Sequence, residues 1–266
     1  MREVMAKGNI GWIGTGVMGQ SMCSHLIKAG YKAYIFNRTK QKAEDLLSQG
    51  AVWCDTPAEV AKNCEIAFTI VGFPQDVESV ILGVDGLLSE AKPGSTIIDM
   101  TTSEPQLAAK ISDAASEKQI KTLDAPVSGG DLGAREGTLA IMVGGDKEAY
   151  DQILPLFEIL GENIAYMGPS GAGQHTKMSN QILIASTMIG VVESLLYGFK
   201  SGLDLDAMID VIGKGAASSW SINNLGRRIV KGDLDPGFFI KHFVKDMGIA
   251  LDEAKRMNLS LPGLSL

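Results

Sequence analysis

Three groups of residues are of types, and at spacings, that can do chemistry. The first is Gly14-Thr15-Gly16-Val17-Met18-Gly19, a G-x-G-x-x-G run that follows apolar Ile10, Trp12 and Ile13 and opens an amphipathic helical pattern. In that context Gly14 permits a tight turn, Gly16 lets a pyrophosphate approach the backbone, and Gly19 lets helix and strand pack closely. Free N–H groups at the helix start would meet the phosphates. A purely structural strand-to-helix turn is the alternative. A dinucleotide site reads the ribose about 20 residues further on, and there the chain has Asn37-Arg38-Thr39 rather than Asp or Glu. A carboxylate would repel a 2′-phosphate. Asn does not, and Arg38 with Thr39 can hold one by charge and hydrogen bonds. This predicts NADP as the preferred cofactor, with NAD possible, unless Arg38 only stacks on the adenine.

The second group is Ser128-Gly129-Gly130, placed after a strand pattern. Adjacent glycines leave backbone N–H groups bare and Ser128 adds a hydroxyl, a cradle for a carboxylate. A plain turn would read the same. The third group is Lys177, Asn180 and Gln181, at i, i+3 and i+4 on one helical face. A lysine in an otherwise apolar helix is costly unless it is exposed or used, and spacing alone leaves both open.

Positioning these groups requires a particular order of elements. Strand-like runs fall at 9–13, 32–36, 66–71, 96–99, 121–123, 139–143 and 163–167. Helical patterns lie between most of them, at 18–29, 41–49, 57–63, 105–117 and 147–160. Strands alternating with helices mean βαβ units, here an α/β domain of Rossmann type with a doubly wound, mainly parallel sheet. After Gly168-Pro169 the pattern becomes purely helical, starting with a long run over 173–201 and continuing at 205–213, 220–231 and 242–257. The expected division is a nucleotide-binding domain over 1–168 and an all-α domain over 169–266 that begins with a long interdomain helix. The ending Leu261-Pro262-Gly263-Leu264-Ser265-Leu266 lacks a last long helix, which suggests a truncated C-terminus.

The chain has 266 residues, 45% hydrophobic and 21% charged, with 24 basic against 31 acidic side chains and a net charge of −7. That acidic balance disfavours nucleic acid and anionic membrane surfaces as partners. The longest apolar stretch, Ile182–Val192, contains Ser186 and Thr187 and is too short to cross a bilayer. Cys23, Cys54 and Cys64 fit neither a zinc signature nor a disulfide framework. Free thiols of this kind suit a reducing cytoplasm. His25, His175 and His242 have no metal spacing, and His175, two residues from Lys177, points elsewhere on a helix. No metal site is expected.

Four motifs in order give the chain a resemblance over essentially its whole length. Gly11-Trp12-Ile13-Gly14-Thr15-Gly16-Val17-Met18-Gly19, Asp124-Ala125-Pro126-Val127-Ser128-Gly129-Gly130, Gly171-Ala172-Gly173-Gln174-His175-Thr176-Lys177-Met178-Ser179-Asn180-Gln181 and the late pair Lys245-Asp246 resemble those of the β-hydroxyacid dehydrogenases. That family includes 3-hydroxyisobutyrate dehydrogenase, tartronate semialdehyde reductase and the longer 6-phosphogluconate dehydrogenases. The resemblance implies hydride transfer between a nicotinamide and a short β-hydroxyacid/semialdehyde pair, in which the protein supplies orientation and a proton path. It implies Lys177 as the proton-transfer residue, with Asn180 and Gln181 positioning the substrate and Ser128, Gly129 and Gly130 at its carboxylate. It also places Thr102 at the nicotinamide and Lys245 at the cofactor. Taken on residues alone, Thr102 could instead cap the next helix, and Lys245 could be a solvated helix lysine. The pair Asn180-Gln181 replaces the two asparagines of many members and resembles the tartronate semialdehyde reductase branch. Phe238-Phe239-Ile240-Lys241-His242-Phe243 departs from that branch. That segment implies a more apolar distal substrate pocket or a different acid, and Trp220 could line the same pocket or belong to a core. A homodimer or homotetramer is implied. An imine or ketone reductase on the same scaffold, or a non-catalytic NADP-binding module, are the competing readings. The retained Lys177 and Ser-Gly-Gly loop weigh against both.

Overall fold

The computed structural model describes residues 7–235 and 237–266. The elements are β1 (Lys7–Ile13), α1 (Val17–Lys28), β2 (Tyr31–Phe36), a 3-10 turn (Lys40–Ala43) running into α2 (Glu44–Ser48), β3 (Val52–Trp53), α3 (Pro57–Lys62) and β4 (Ile66–Thr69). Next come α4 (Pro74–Leu82), α5 (Leu87–Glu90), β5 (Thr96–Asp99), α6 (Pro105–Ser116), β6 (Lys121–Asp124), β7 (Val127–Ser128) and α7 (Gly130–Glu136). They are followed by β8 (Leu139–Gly145), α8 (Lys147–Leu160), β9 (Gly161–Gly168), α9 (Ala172–Lys200) and α10 (Leu205–Ile212). A π-helical turn (Ser221–Gly226), α11 (Arg227–Val230), α12 (Ile240–Arg256) and α13 (Pro262–Ser265) complete the chain.

The strands form one sheet in the order β3-β2-β1-β4-β5-β6-β8-β7, with β9 paired to β8. The run from β3 to β6 is parallel throughout, whereas β8 pairs antiparallel with β6 and β7. Mainly parallel strands with helices between them are the architecture the alternation predicts. Side chains alternate between two cores, as a sheet covered on both faces requires. Ile10, Trp12 and Ile98 join the cluster containing Met22, Leu26 and Phe157. Ile13 and Ile97 join the cluster with Val60, Val77 and Ile111. Trp12 stacks on Phe68 with ring centroids 5.3 Å apart.

The chain divides into two compact units, the first ending at Lys177 and the second spanning Met178–Leu266. The division falls inside α9. The second unit is helical among its described residues and holds two small apolar clusters, around Met178, Ala185 and Ile249 and around Val191, Leu195 and Ile209.

Several elements go beyond the sequence pattern. Strands β3 and β7 are two residues each, too short for a period to show. Helix α7 opens with glycines and contains Gly133, which lowers its helical signal. Helices α4 and α5 lie between the strand-like runs 66–71 and 96–99, where the sequence pattern assigns no element. The run 220–231 is π-helical before it is α-helical. Helix α9 has a window of mean hydropathy 1.8 and is long and apolar enough to cross a membrane by length and composition. The expectation based on the stretch Ile182–Val192 is corrected on this point, because the isolated polar residues within and around it barely lower the average. A core helix of a soluble protein meets the same test.

Candidate active site

Strands β1, β2, β4, β5 and β6 run parallel, so their carboxyl ends line one edge of the sheet, the edge where open α/β folds bind ligands. The loop after β1 is built by close packing. Gly14 has φ +98°, and a Cβ there would lie 2.0 Å from the Ile70 carbonyl oxygen. A Cβ on Gly19 would lie 2.0 Å from the Gly14 carbonyl oxygen. Trp12 Nε1 donates to that same carbonyl at 3.0 Å. At Gly16, by contrast, a Cβ would meet nothing within 4 Å. No protein atom therefore demands glycine at position 16, and the open space lies at the N-cap of α1, which has no side-chain cap and no acidic residue in its first turn. Thr15 Oγ1 is buried without a hydrogen-bond partner. An orphaned hydroxyl beside an open, uncapped helix start fits a phosphate group.

Asn37 ties the end of β2 to this loop. Its Oδ1 accepts from Thr15 N at 3.1 Å and its Nδ2 donates to Thr39 O at 2.8 Å. Arg38 lies on the surface with 86% of its side chain exposed, 3.2 Å from Asp76. Thr39 is exposed, and Val17 and Met18 form the exposed and half-buried start of α1.

The loop after β5 is held by buried polar groups. Asp99 Oδ1 accepts from Thr69 Oγ1 at 2.7 Å and from Thr101 N at 3.1 Å. Thr101 Oγ1 accepts from Val71 N at 3.0 Å. Thr102 follows and is half-buried. The N-cap of α6 is Glu104, so the helix-cap reading of Thr102 is set aside. Strand β7 ends at Ser128, and the backbone then turns through Gly129 (φ +131°) and Gly130 (φ +63°) into α7. His25 Nε2 lies 3.0 Å from both the Ala134 and Arg135 carbonyls. Carbonyls only accept, so this nitrogen carries the proton and ties α1 to α7. His25 is structural.

Lys177 is 6% exposed in the second turn of α9, so it is not a surface lysine. The start of that helix is seated on the sheet by Asp124, whose carboxylate accepts from Gly171 N at 2.8 Å and Gln174 N at 2.9 Å. Burial pushes the Asp124 carboxyl up to about 6, against the opposite pull of those two N–H groups. The seat is tight: a Cβ on Gly173 would lie 2.4 Å from the carbonyl oxygens of Asp124 and Met142. Gln174 is fully buried, donates from Nε2 to Thr101 O at 2.7 Å, and accepts at Oε1 from Ser103 N at 2.9 Å.

In the second unit, Asn180 Nδ2 donates to Gln181 Oε1 at 2.7 Å, and Gln181 Nε2 donates to Asp246 Oδ2 at 2.7 Å. Asp246 is fully buried, and Lys245, only 12% exposed in its side chain, approaches the other carboxylate oxygen at 3.0 Å as an ion pair. The solvated-lysine reading of Lys245 gives way to this pairing. Trp220 is 68% exposed, so the core reading of that residue is corrected.

The first unit thus carries Gly14–Gly19, Asn37–Thr39, Thr102, Ser128–Gly130 and Lys177, and the second carries Asn180, Gln181 and Lys245. The residue patterns alone assign no role to Asp124 or Gln174. The usable signal was a carboxylate ending an apolar strand and a glutamine one turn before the lysine.

Residues 9–168 match the family model described as the NAD binding domain of 6-phosphogluconate dehydrogenase. Residues 171–266 match that of the NAD-binding of NADP-dependent 3-hydroxyisobutyrate dehydrogenase. The uncharacterized oxidoreductase YkwC of Bacillus subtilis is 54% identical over 98% of this chain and 90% of its own. The 2-hydroxy-3-oxopropionate reductase of Escherichia coli is 39% identical over 95% of this chain and 86% of its own. The solved Mycobacterium tuberculosis 3-hydroxyisobutyrate dehydrogenase with L-serine superposes with a TM-score of 0.90 at 28% identity, over 97% of this chain and 90% of its own. Imine reductases such as that from Pseudomonas sp. share the fold at 18% identity and a TM-score of 0.70, a likeness of fold alone. The chain belongs to the β-hydroxyacid dehydrogenase family of NAD(P)-dependent oxidoreductases.

Proposed function

We propose that the protein is an NADP-preferring dehydrogenase or reductase of a short β-hydroxyacid/semialdehyde pair, with Lys177 as its general acid and base. The observation that carries the reading is Lys177 itself, a lysine 6% exposed on a helix whose first turn is fastened to the carboxyl edge of the sheet through Asp124. Burial disfavours a permanent charge on a lysine and suits one that gives up and regains a proton.

The nicotinamide, when bound, supplies or accepts the hydride. The Gly14–Gly19 loop and the start of α1 hold the pyrophosphate, and Thr102 and Lys245 are assigned to the cofactor. In the reducing direction, the Lys177 ammonium gives its proton to the substrate's carbonyl oxygen. In the oxidising direction, neutral Lys177 takes the hydroxyl proton. Ser128 Oγ and the N–H groups of Gly129 and Gly130 hold the carboxylate, and Asn180 with Gln181 positions the substrate.

The preference for NADP is supported by Asn37, whose amide replaces a repelling carboxylate and is already engaged by Thr15 and Thr39. Arg38 supports it too, because its exposed guanidinium can turn from Asp76 to a 2′-phosphate. A homodimer or homotetramer is supported by the large apolar side chains that α9 leaves in the open, Leu183, Leu196, Tyr197 and Phe199, each more than half exposed. Three buried free thiols suit a cytoplasmic location.

The test follows NADPH absorbance with glyoxylate and with succinic, tartronic and methylmalonic semialdehydes, for wild type and Lys177→Ala. Turnover of at least one compound by wild type, lost in the variant while NADPH binding is kept, supports the reading. No turnover of any of them, or equal turnover by both proteins, overturns it.

A further inference from the structure

We infer that Gln174 is a positioning residue for the reaction: its side-chain amide fixes Thr102 and ties it to the helix that carries Lys177. This rests on the reading above, in which Thr102 serves the nicotinamide and Lys177 moves the proton. Gln174 is fully buried. Its Nε2 donates to Thr101 O at 2.7 Å and its Oε1 accepts from Ser103 N at 2.9 Å. These two backbone groups flank Thr102 on either side. The amide therefore pairs with this loop as the peptide of a neighbouring strand would, and it does so where the sheet has ended at Asp99. The pairing sets the backbone of Thr102, hence the direction of its side chain.

The same residue is fixed at its main chain. Gln174 N donates to Asp124 Oδ2 at 2.9 Å, so the amide arm extends from the point at which α9 is fastened to β6. Lys177 follows three residues later, on the next turn. A shift of the helix start therefore moves Thr102 and Lys177 together. A hydrophobic side chain of similar size would fill the space but leave Thr101 O and Ser103 N without these bonds, and the loop would relax. Glutamate has the same shape. Ionised, it sets an oxygen against Thr101 O; protonated, it restores the donor. The acids on the elements bonded to this position are Asp124 at the end of β6, Asp99 at the end of β5 and Glu104 beside Ser103, with His175 and Lys177 on its own helix, and all of them remain in Gln174→Glu.

The experiment compares wild type with Gln174→Leu, Gln174→Glu, Thr102→Ala and Lys177→Ala, using the best substrate of the panel above. It reads kcat, KM, NADPH affinity by fluorescence, and the deuterium isotope effect with 4-deuterated NADPH. Gln174→Leu is expected to lose kcat by about a hundred-fold, the scale of a small misplacement of reacting groups, with NADPH affinity within about threefold. Its isotope effect should rise as hydride transfer becomes rate-limiting. Gln174→Glu should recover kcat toward wild type as pH falls and lose it as pH rises, a profile that a packing role would not produce. If Gln174→Leu does not fold, the pH profile of Gln174→Glu decides. Loss of turnover in Thr102→Ala and Lys177→Ala alongside an unchanged kcat in Gln174→Leu, or a flat profile in Gln174→Glu, overturns the positioning role alone. Full turnover in Thr102→Ala and Lys177→Ala overturns the reading on which it rests.

Discussion

In the first unit the sheet is covered on both faces, and its loops leave no room for a methyl group at Gly14, Gly19 or Gly173. Its buried Asp124 and Gln174 side chains are spent on backbone groups, and Asp99 divides itself between the Thr101 N–H and the Thr69 hydroxyl. In the second unit the buried clusters are small, while Leu183, Leu196, Tyr197, Phe199 and Val211 lie more than half exposed. Its polar chain runs from side chain to side chain, Asn180 to Gln181 to Asp246. One unit holds backbone loops in fixed shapes, as a cofactor that must be oriented requires. The other leaves large apolar side chains exposed.

This contrast can be broken most sharply at the glycines. Gly19→Ala forces a Cβ to within 2.0 Å of a backbone oxygen and should cost more than about 4 kcal/mol of stability or prevent folding. Gly16→Ala meets nothing and should change the unfolding free energy by less than about 1 kcal/mol, yet weaken NADPH binding at least tenfold by calorimetry. Equal stability losses in both would show that position 16 is glycine for the fold and not for a ligand.

The Asp124 seat gives a pH test. A carboxyl raised from 3.8 to about 6 in the fold contributes stability that is full below its unfolded value and is lost as pH rises through about 6. A displacement of that size corresponds to roughly 3 kcal/mol. Asp124→Asn does not titrate. It carries a constant loss from one helix-start hydrogen bond, and should gain on wild type as pH rises from 4 to 7 in urea titrations. A difference independent of pH would remove this account of the seat.

A smaller effect is expected at the cofactor's edge. Arg38→Ala should raise KM for NADPH about tenfold, near 1.4 kcal/mol, and leave KM for NADH unchanged. Similar changes for both cofactors would count against NADP selection by Arg38. In the second unit, Leu196→Asp, at a position 57% exposed, should keep the wild-type circular dichroism spectrum while sedimentation shifts to a smaller species and the unfolding midpoint loses its dependence on protein concentration. An unchanged sedimentation coefficient would count against Leu196 as a contact between copies. The smallest effect concerns the thiols. Burial pushes Cys54 up to about 11 and Cys64 up to about 12, and Cys23 is raised further, so none should react with a thiol reagent at pH 8 before unfolding.

The parallel sheet was legible because its strands are apolar runs set between helices with clear periods. The nucleotide loop was legible because glycine spacing follows from steric need, which Gly14 and Gly19 now display at atomic distance. The short strands β3 and β7 and the glycine-opened α7 were not, since two residues carry no period and glycine weakens a helical one. Lys177 could be singled out by type but not by burial, which depends on tertiary packing. Asp124, Gln174 and Asp246 act through backbone and side-chain partners between 47 and 73 residues away in sequence, a separation no local pattern encodes.

The central claim, that buried Lys177 moves the proton, is tested most directly by amine rescue of Lys177→Ala. General acid–base groups contribute about 100- to 10,000-fold. The expected result is a loss of kcat on that scale with NADPH affinity kept, partly restored by added ethylamine to a degree that tracks the fraction of amine in the acid form in the reducing direction. Activity within tenfold of wild type, or a loss that no primary amine relieves, would contradict it.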